Sequence, residues 1–231
     1  MNINNRFMNE LNEKIDYTLL DMEASEIELR QMCEQAINLK VASVCVMPIH
    51  IPFVREILKS SDVLICSVIS FPEGNHSMIE KVIETERAIL DGADEIDMVL
   101  NYHLIENASY LKSEVEAVRI CCSKFQNKFG KPILLKVIVE SGILSLEQTR
   151  IATQICIDTQ VDFIKTSTGK VAIGAELEKV QMMHETILLN KSNLKIKASG
   201  GIRTMEQVSI FLPYVQRFGM GYKAVDILNN F

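Results

Sequence analysis

The sequence predicts an α/β protein built as one closed (β/α)8 barrel over residues 1–231. Three observations carry that prediction. Short runs rich in Val, Ile, Leu and Cys alternate along the whole chain with longer segments of helical spacing, a pattern that implies a parallel sheet covered by helices. The runs number eight once two weaker ones at the ends are counted, and no linker, charge block or composition shift separates them. Eight units in 231 residues suit a closed barrel better than an open sheet. An open nucleotide-binding sheet would also carry G-x-G-x-x-G after its first strand, and that motif is absent.

In chain order the strands are a weak Ile15–Leu19, then Val41–Met47, Val63–Ser70, Glu95–Leu100, Ile133–Val139, Val161–Lys165 and Leu194–Ala198, then a weak Tyr214–Gly219. The six central runs are rich in Val, Ile, Cys and Leu and read as buried strands. Between them, Ile79, Val82, Ile83, Ile89 and Leu90 recur at helical spacing with charges on the other side. Ser145 and Thr204 each stand three residues before a Gln, giving capping boxes at two helix starts. Asp91-Gly92 and Phe129-Gly130-Lys131-Pro132 read as helix stops.

Composition narrows the function. With 24 Lys+Arg against 30 Asp+Glu the net charge is −6, which argues against nucleic acid or an anionic membrane as the main partner. Hydrophobic residues at 48% and charged residues at 23% exclude intrinsic disorder. The six cysteines show no CxxC and no histidine at zinc-ligand intervals. They predict free, buried thiols in a reducing compartment, a cytoplasmic protein and no metal site. The opening Met-Asn-Ile-Asn-Asn-Arg forms no signal core, and Val41–Val54, with two prolines, is too short and broken to span a membrane. Gly169-Lys170 is not a P-loop end, because Ile164 stands at the earlier glycine position and Val171 at the Ser/Thr position.

Strand alternation then locates the chemistry. Ile96 and Met98 point outward, so Asp97 points inward. The same parity turns Leu135, Val137 and Val139 outward and Lys136 inward, and does likewise for Ile164 with Lys165 and Ile196 with Lys197. Four consecutive strands thus deliver one carboxylate and three ammonium groups to one interior. Burying unmatched charge costs several kcal/mol, so a purely structural origin is unfavourable. Crowded cations lower each other's pKa, and a neutral amine is a nucleophile that forms a Schiff base with a carbonyl. Glycine-bearing loops follow the sixth strand (166–170) and the seventh (199–203), where backbone N–H groups can approach an anion.

At these residues the chain resembles the deoxyribose-phosphate aldolases, a family of class I aldolases. The matching stretches are KVASVCVMP (40–48), FPEGN (71–75), GADEIDMV (92–99), LLKVIVESG (134–142), DFIKTSTGK (162–170) and KASGGIRT (197–204), in family order over nearly the whole chain. The resemblance implies a TIM barrel that cleaves 2-deoxyribose 5-phosphate reversibly to glyceraldehyde 3-phosphate and acetaldehyde, without metal or organic cofactor. It also implies Lys165 as the Schiff-base lysine, Lys197 as the neighbour that keeps Lys165 reactive, and Asp97 as the proton carrier. Asp16, Cys45 and Lys136 would line the same interior. Thr168, Gly169, Lys170, Gly200, Gly201, Arg203 and Gly219 would surround the sugar phosphate. The implied partners are a sugar phosphate and an aldehyde, with a homodimer as the expected assembly. One departure stands out: the family places a small residue and two serines after Gly219, whereas this chain has Met220-Gly221-Tyr222. Loss of both serine hydroxyls is expected to weaken the preference for phosphate. The Gly221 N–H, the Tyr222 hydroxyl and the charges of Lys170 and Arg203 offset that loss in part, so that phosphate stays favoured. A lysine-dependent aldolase for another or unphosphorylated aldehyde, and a non-catalytic sugar-phosphate-binding barrel, are the alternative readings.

Overall fold

A computed structural model describes residues 3–229. Its eight strands are β1 (Ile15–Leu19), β2 (Ser43–Val46), β3 (Leu64–Ile69), β4 (Glu95–Val99), β5 (Leu134–Ile138), β6 (Phe163–Lys165), β7 (Lys195–Ser199) and β8 (Arg217–Gly221). They pair in parallel in chain order, and β8 closes on β1. Around them run α1 (Ile3–Asn12), α2 (Glu26–Leu39), α3 (Ile51–Leu58), α4 (Met78–Asp91), α5 (Ala108–Ser123), α6 (Leu146–Asp158), α7 (Leu177–Leu189), α8 (Met205–Phe211) and α9 (Tyr222–Asn229). The predicted barrel is the observed one. No helix among the described residues is long and apolar enough to cross a membrane.

Most strands are shorter at their ends than the apolar runs suggest, for a definite reason. The N–H groups of Val41 and Val161 donate to the carbonyls of Ala36 and Cys156, closing α2 and α6 instead of joining the sheet. Tyr214 likewise donates to Phe211, so the last strand starts at Arg217. Both expected capping boxes form, at Ser145–Gln148 and Thr204–Gln207, and Gly92 ends α4 with φ 116°. The stop expected at residues 129–132 falls well past the end of α5, which is capped by Lys124. Residues 126–132 instead form a turn pinned by Lys128, whose ammonium donates to the carbonyls of Leu58, Ser61 and Val63 at 3.2, 2.8 and 2.6 Å.

The outward strand residues Ile96, Met98, Leu135, Val137, Ile164 and Ile196 pack with the helices into the main core. One helix inverts the expected arrangement. On α4 the apolar residues Ile79, Ile83 and Leu90 face solvent at 72%, 58% and 70% exposure, while Lys81, Thr85, Ala88 and Ile89 face the sheet. Lys81 explains the inversion. Its ammonium, fully buried, donates to the Val99 carbonyl at the end of β4 at 2.9 Å and pairs with Glu114 of α5 at 2.9 Å. Glu114 in turn accepts from the Asn101 N–H at 3.2 Å. The pair fastens two helices to the strand that bears Asp97. Removing one partner of a buried pair costs about 3–5 kcal/mol. Lys81→Met should therefore lower stability by about that amount in urea unfolding, and Lys81→Met with Glu114→Leu should recover much of the loss.

Candidate active site

Inside the barrel, where layers of Val, Ile and Leu are usual, lies a charged network. Register explains its assembly: Asp97 pairs with Lys136, Lys165 with Lys197, and Lys197 with Arg217, so each pair of side chains points to the same interior. Lys165 and Lys197 both donate to Oδ2 of Asp97, each at 2.7 Å. Lys136 donates to Oδ1 of Asp97 at 2.9 Å and lies 2.6 Å from Glu95 and 3.5 Å from Asp16. Lys197 also pairs with Oδ2 of Asp16. Arg217 pairs with Oδ1 of Asp16 at 2.6 Å and with Glu95 at 3.3 Å. The four predicted inward residues are thus together, with Asp16 among them.

Sequence reasoning missed two members of this network. Glu95 lies two residues before Asp97 and shares its inward parity. Arg217 lies two before Gly219, and the same rule would have found it. A third omission is Cys66, on β3 beside Cys45 on β2. Its thiol donates to Oδ1 of Asp97 at 3.1 Å, and Lys136 donates to its sulfur at 3.2 Å. Cys45, Cys66 and Val68 form a small apolar cluster inside the barrel. All six cysteines are free and buried. Cys45, Cys66 and Asp97 bring thiol and carboxylate atoms within 4.8 Å of one another, as do Asp16, Cys66 and Glu95. Every carboxylate oxygen in these groups already carries a lysine or arginine N–H, so a metal ion would have to displace them.

Above the network, at the carboxyl ends of β6, β7, β8 and β1, opens a cavity of about 530 Å³. Lys165, Thr168, Gly169, Lys170, Gly200, Gly201, Arg203 and Gly219 line it. Asp16, Cys45, Asp97, Lys136 and Lys197 lie beneath, fully buried. Lys165 belongs to both levels. Glycine is required at two points of the wall. A Cβ on Gly219 would stand 2.8 Å from the Ser199 Cβ and 3.0 Å from Cε of Lys197. Gly200, with φ 89°, brings its Cα so near that an added Cβ would meet the Cα of Gly174 at 2.9 Å.

The Thr168 hydroxyl donates to Glu140 at 2.6 Å and its N–H does so at 3.1 Å. Glu140, also missed from sequence, is buried at the end of β5 with φ 52°, an uncommon conformation that marks strained mouths of active sites. Burial pushes its carboxyl up. Tyr222 departs from expectation. It lines the cavity, but its hydroxyl donates to Glu28 and so is engaged elsewhere. Gly221 is open, with nothing near the position of an added Cβ.

Fold and site together define an aldolase. Residues 14–213 match the DeoC/LacD family aldolase in sequence, and the chain belongs to that family. It is 42% identical over 221 residues to the deoxyribose-phosphate aldolase of Mycoplasmoides pirum, covering 95% of this chain and 96% of that one. To the deoxyribose-phosphate aldolase of Treponema denticola it is 42% identical over 205 residues, covering 88% and 91%. It is also similar in structure to the tetrameric deoxyribose phosphate aldolase of Aeropyrum pernix, with a TM-score of 0.83, 25% identity, and coverage of 96% and 91%.

The electrostatics have a stability consequence. Burial opposes ionisation of Asp16 and Asp97, but Arg217, Lys136 and Lys197 around the first, and Lys136, Lys165 and Lys197 around the second, outweigh it and hold both far below the usual carboxylate range. Burial opposes the charge on Lys197 too, yet Asp16 and Asp97 hold its ammonium above the usual lysine range. A lowered carboxylate pKa stabilises the fold above the unfolded-chain value and loses that contribution as pH falls. A raised lysine pKa stabilises below its unfolded-chain value and loses the contribution as pH rises beyond it. These groups therefore stabilise the fold fully between about pH 5 and pH 10, and the urea midpoint should drop steeply below about pH 4. Asp16→Asn should lower the midpoint at pH 7 and flatten that acid limb.

Proposed function

We propose that the protein cleaves 2-deoxy-D-ribose 5-phosphate reversibly to D-glyceraldehyde 3-phosphate and acetaldehyde through a Schiff base on Lys165. The observation that carries this reading is the position of Lys165, the one lysine that touches both the charged network and the open cavity. A neutral Lys165 adds to the aldehyde carbon of the open-chain sugar, the carbonyl oxygen takes up protons and leaves as water, and a protonated imine remains. Breaking the bond between C2 and C3 sends its electron pair toward the imine nitrogen, while the C3 hydroxyl gives up its proton and becomes the aldehyde of glyceraldehyde 3-phosphate. Protonation of the resulting enamine and addition of water release acetaldehyde and restore the amine.

Asp97, 2.7 Å from the Lys165 nitrogen, is the proton carrier for these steps. Lys197 stays cationic and, sharing the same Asp97 oxygen, disfavours a second charge on Lys165. Lys136, Asp16 and Cys45 support them. Thr168, Gly169, Gly200, Gly201 and Gly219 form the polar wall for the phosphate, and Lys170 and Arg203 add positive charge. A second reading, an unphosphorylated aldehyde as substrate, is favoured by one observation: the Tyr222 hydroxyl is held by Glu28 and supplies nothing to the cavity. Borohydride trapping with acetaldehyde should mark the peptide containing Lys165, and a label on Lys136 or Lys197 alone would overturn the assignment. In the same preparation kcat/KM for deoxyribose 5-phosphate should exceed that for deoxyribose. Equal values would favour the second reading.

The six free cysteines support a cytoplasmic setting. A homodimer is part of the proposal, supported by the outward apolar residues Ile79, Ile83 and Leu90 of α4. Ile83→Glu should convert a dimer to monomer in sedimentation without unfolding it. An unaltered dimer would place the contact elsewhere.

A further inference from the structure

We propose that Arg217 and Glu95, neither of which lines the cavity above Lys165, act as positioning residues that set the charge of Lys165 from the floor of the barrel. The inference rests on the reading of Lys165 as the reacting amine. The contact network joins four cations, Lys136, Lys165, Lys197 and Arg217, to three carboxylates, Asp16, Glu95 and Asp97. Net charge in a buried site is costly. The network is neutral when one cation has given up a proton.

The structure identifies which one. A guanidinium keeps its proton at any working pH. Lys136 faces three carboxylates, at 2.6, 2.9 and 3.5 Å, and Lys197 faces two, Asp16 and Asp97. Lys165 reaches only Oδ2 of Asp97, an oxygen that Lys197 already occupies. It is also the one lysine of the three whose side chain touches solvent, at 4% exposure, so its proton has a way out. Other titratable groups face the site as well: burial pushes up the carboxyl of Glu140, which Thr168 binds, and the Cys66 thiol, whereas the hydrogen bond with Cys66, and Lys197 and Lys165 nearby, hold the Cys45 thiol down.

Arg217 is the cation of this network that keeps its proton without touching Lys165. Removing it leaves three lysines against the same three carboxylates, which favours a proton on Lys165. Glu95 acts in the opposite sense, and both residues line a second cavity of about 810 Å³ on the other side of the barrel, remote from the cavity above Lys165.

The test is the pH at which borohydride trapping of acetaldehyde on Lys165 reaches half its maximum. Arg217→Met should move that midpoint up by about one pH unit, and Glu95→Gln should move it down by a similar amount. The double variant, with three cations against two carboxylates, should return it to the wild-type position. Arg217→Lys should leave it there as well. General damage to the barrel would lower the yield of adduct but would not move the midpoint in opposite directions. Should Arg217→Met fail to fold, Glu95→Gln and Arg217→Lys still decide the matter. Midpoints that stay fixed in Glu95→Gln, that shift the same way in both single variants, or that rise in Arg217→Lys as in Arg217→Met overturn the proposal. Absence of a Lys165 adduct in the unaltered protein would overturn instead the reading on which it rests.

Discussion

One oxygen organises the interior of this protein. Oδ2 of Asp97 accepts from Lys165 and Lys197 at the same 2.7 Å, and two ammonium groups cannot share an anion that closely without each raising the cost of charge on the other. Everything around the oxygen follows from keeping that arrangement buried. Asp16 and Glu95 supply the carboxylates that hold Lys197, Lys136 and Arg217 in place, and the closed strand ring keeps out the water that would otherwise screen them. The chemistry and the fold thus impose the same demand, a sealed barrel with one amine reaching out of it.

The cavity carries out a division of labour that the strand order makes possible. Lys165 ends β6, Lys197 lies two residues before the end of β7, and the glycine-bearing loops follow directly. Glycine-bearing loops and the cations Lys170 and Arg203 therefore gather at the mouth, while the small Cys45, Cys66 and Val68 cluster stays buried within the barrel.

Much of this was legible in the sequence, because a strand's period of two is unforgiving. Once Ile96, Met98, Val137, Ile164 and Ile196 are outward, Asp97, Lys136, Lys165 and Lys197 have no other place to go. Glu95 and Arg217 obey the same rule but sit at strand starts, where a long charged side chain is ordinarily assumed to reach water. What the sequence could not convey was that the two find each other inside the barrel, since their pairing depends on closure between β8 and β1. Glu140 was hidden for a different reason: its role comes from a left-handed backbone at the end of β5, which periodicity does not encode. The hydroxyl of Tyr222 was misjudged because its partner, Glu28, lies 194 residues away.

The inverted α4 has a consequence for how the chain finds its fold. Rolled about its own axis, that helix could bury Ile79, Ile83 and Leu90 and would gain apolar contact by doing so, which makes the wrong docking a competitor during collapse. Rejection of the decoy falls to Lys81: with the helix rolled over, the buried Glu114 would lose its cation and the Val99 carbonyl the Lys81 donor. A buried ion pair that contributes little net stability can in this way act as an orientation key, admitting one of two faces that hydrophobicity alone would rank in the opposite order.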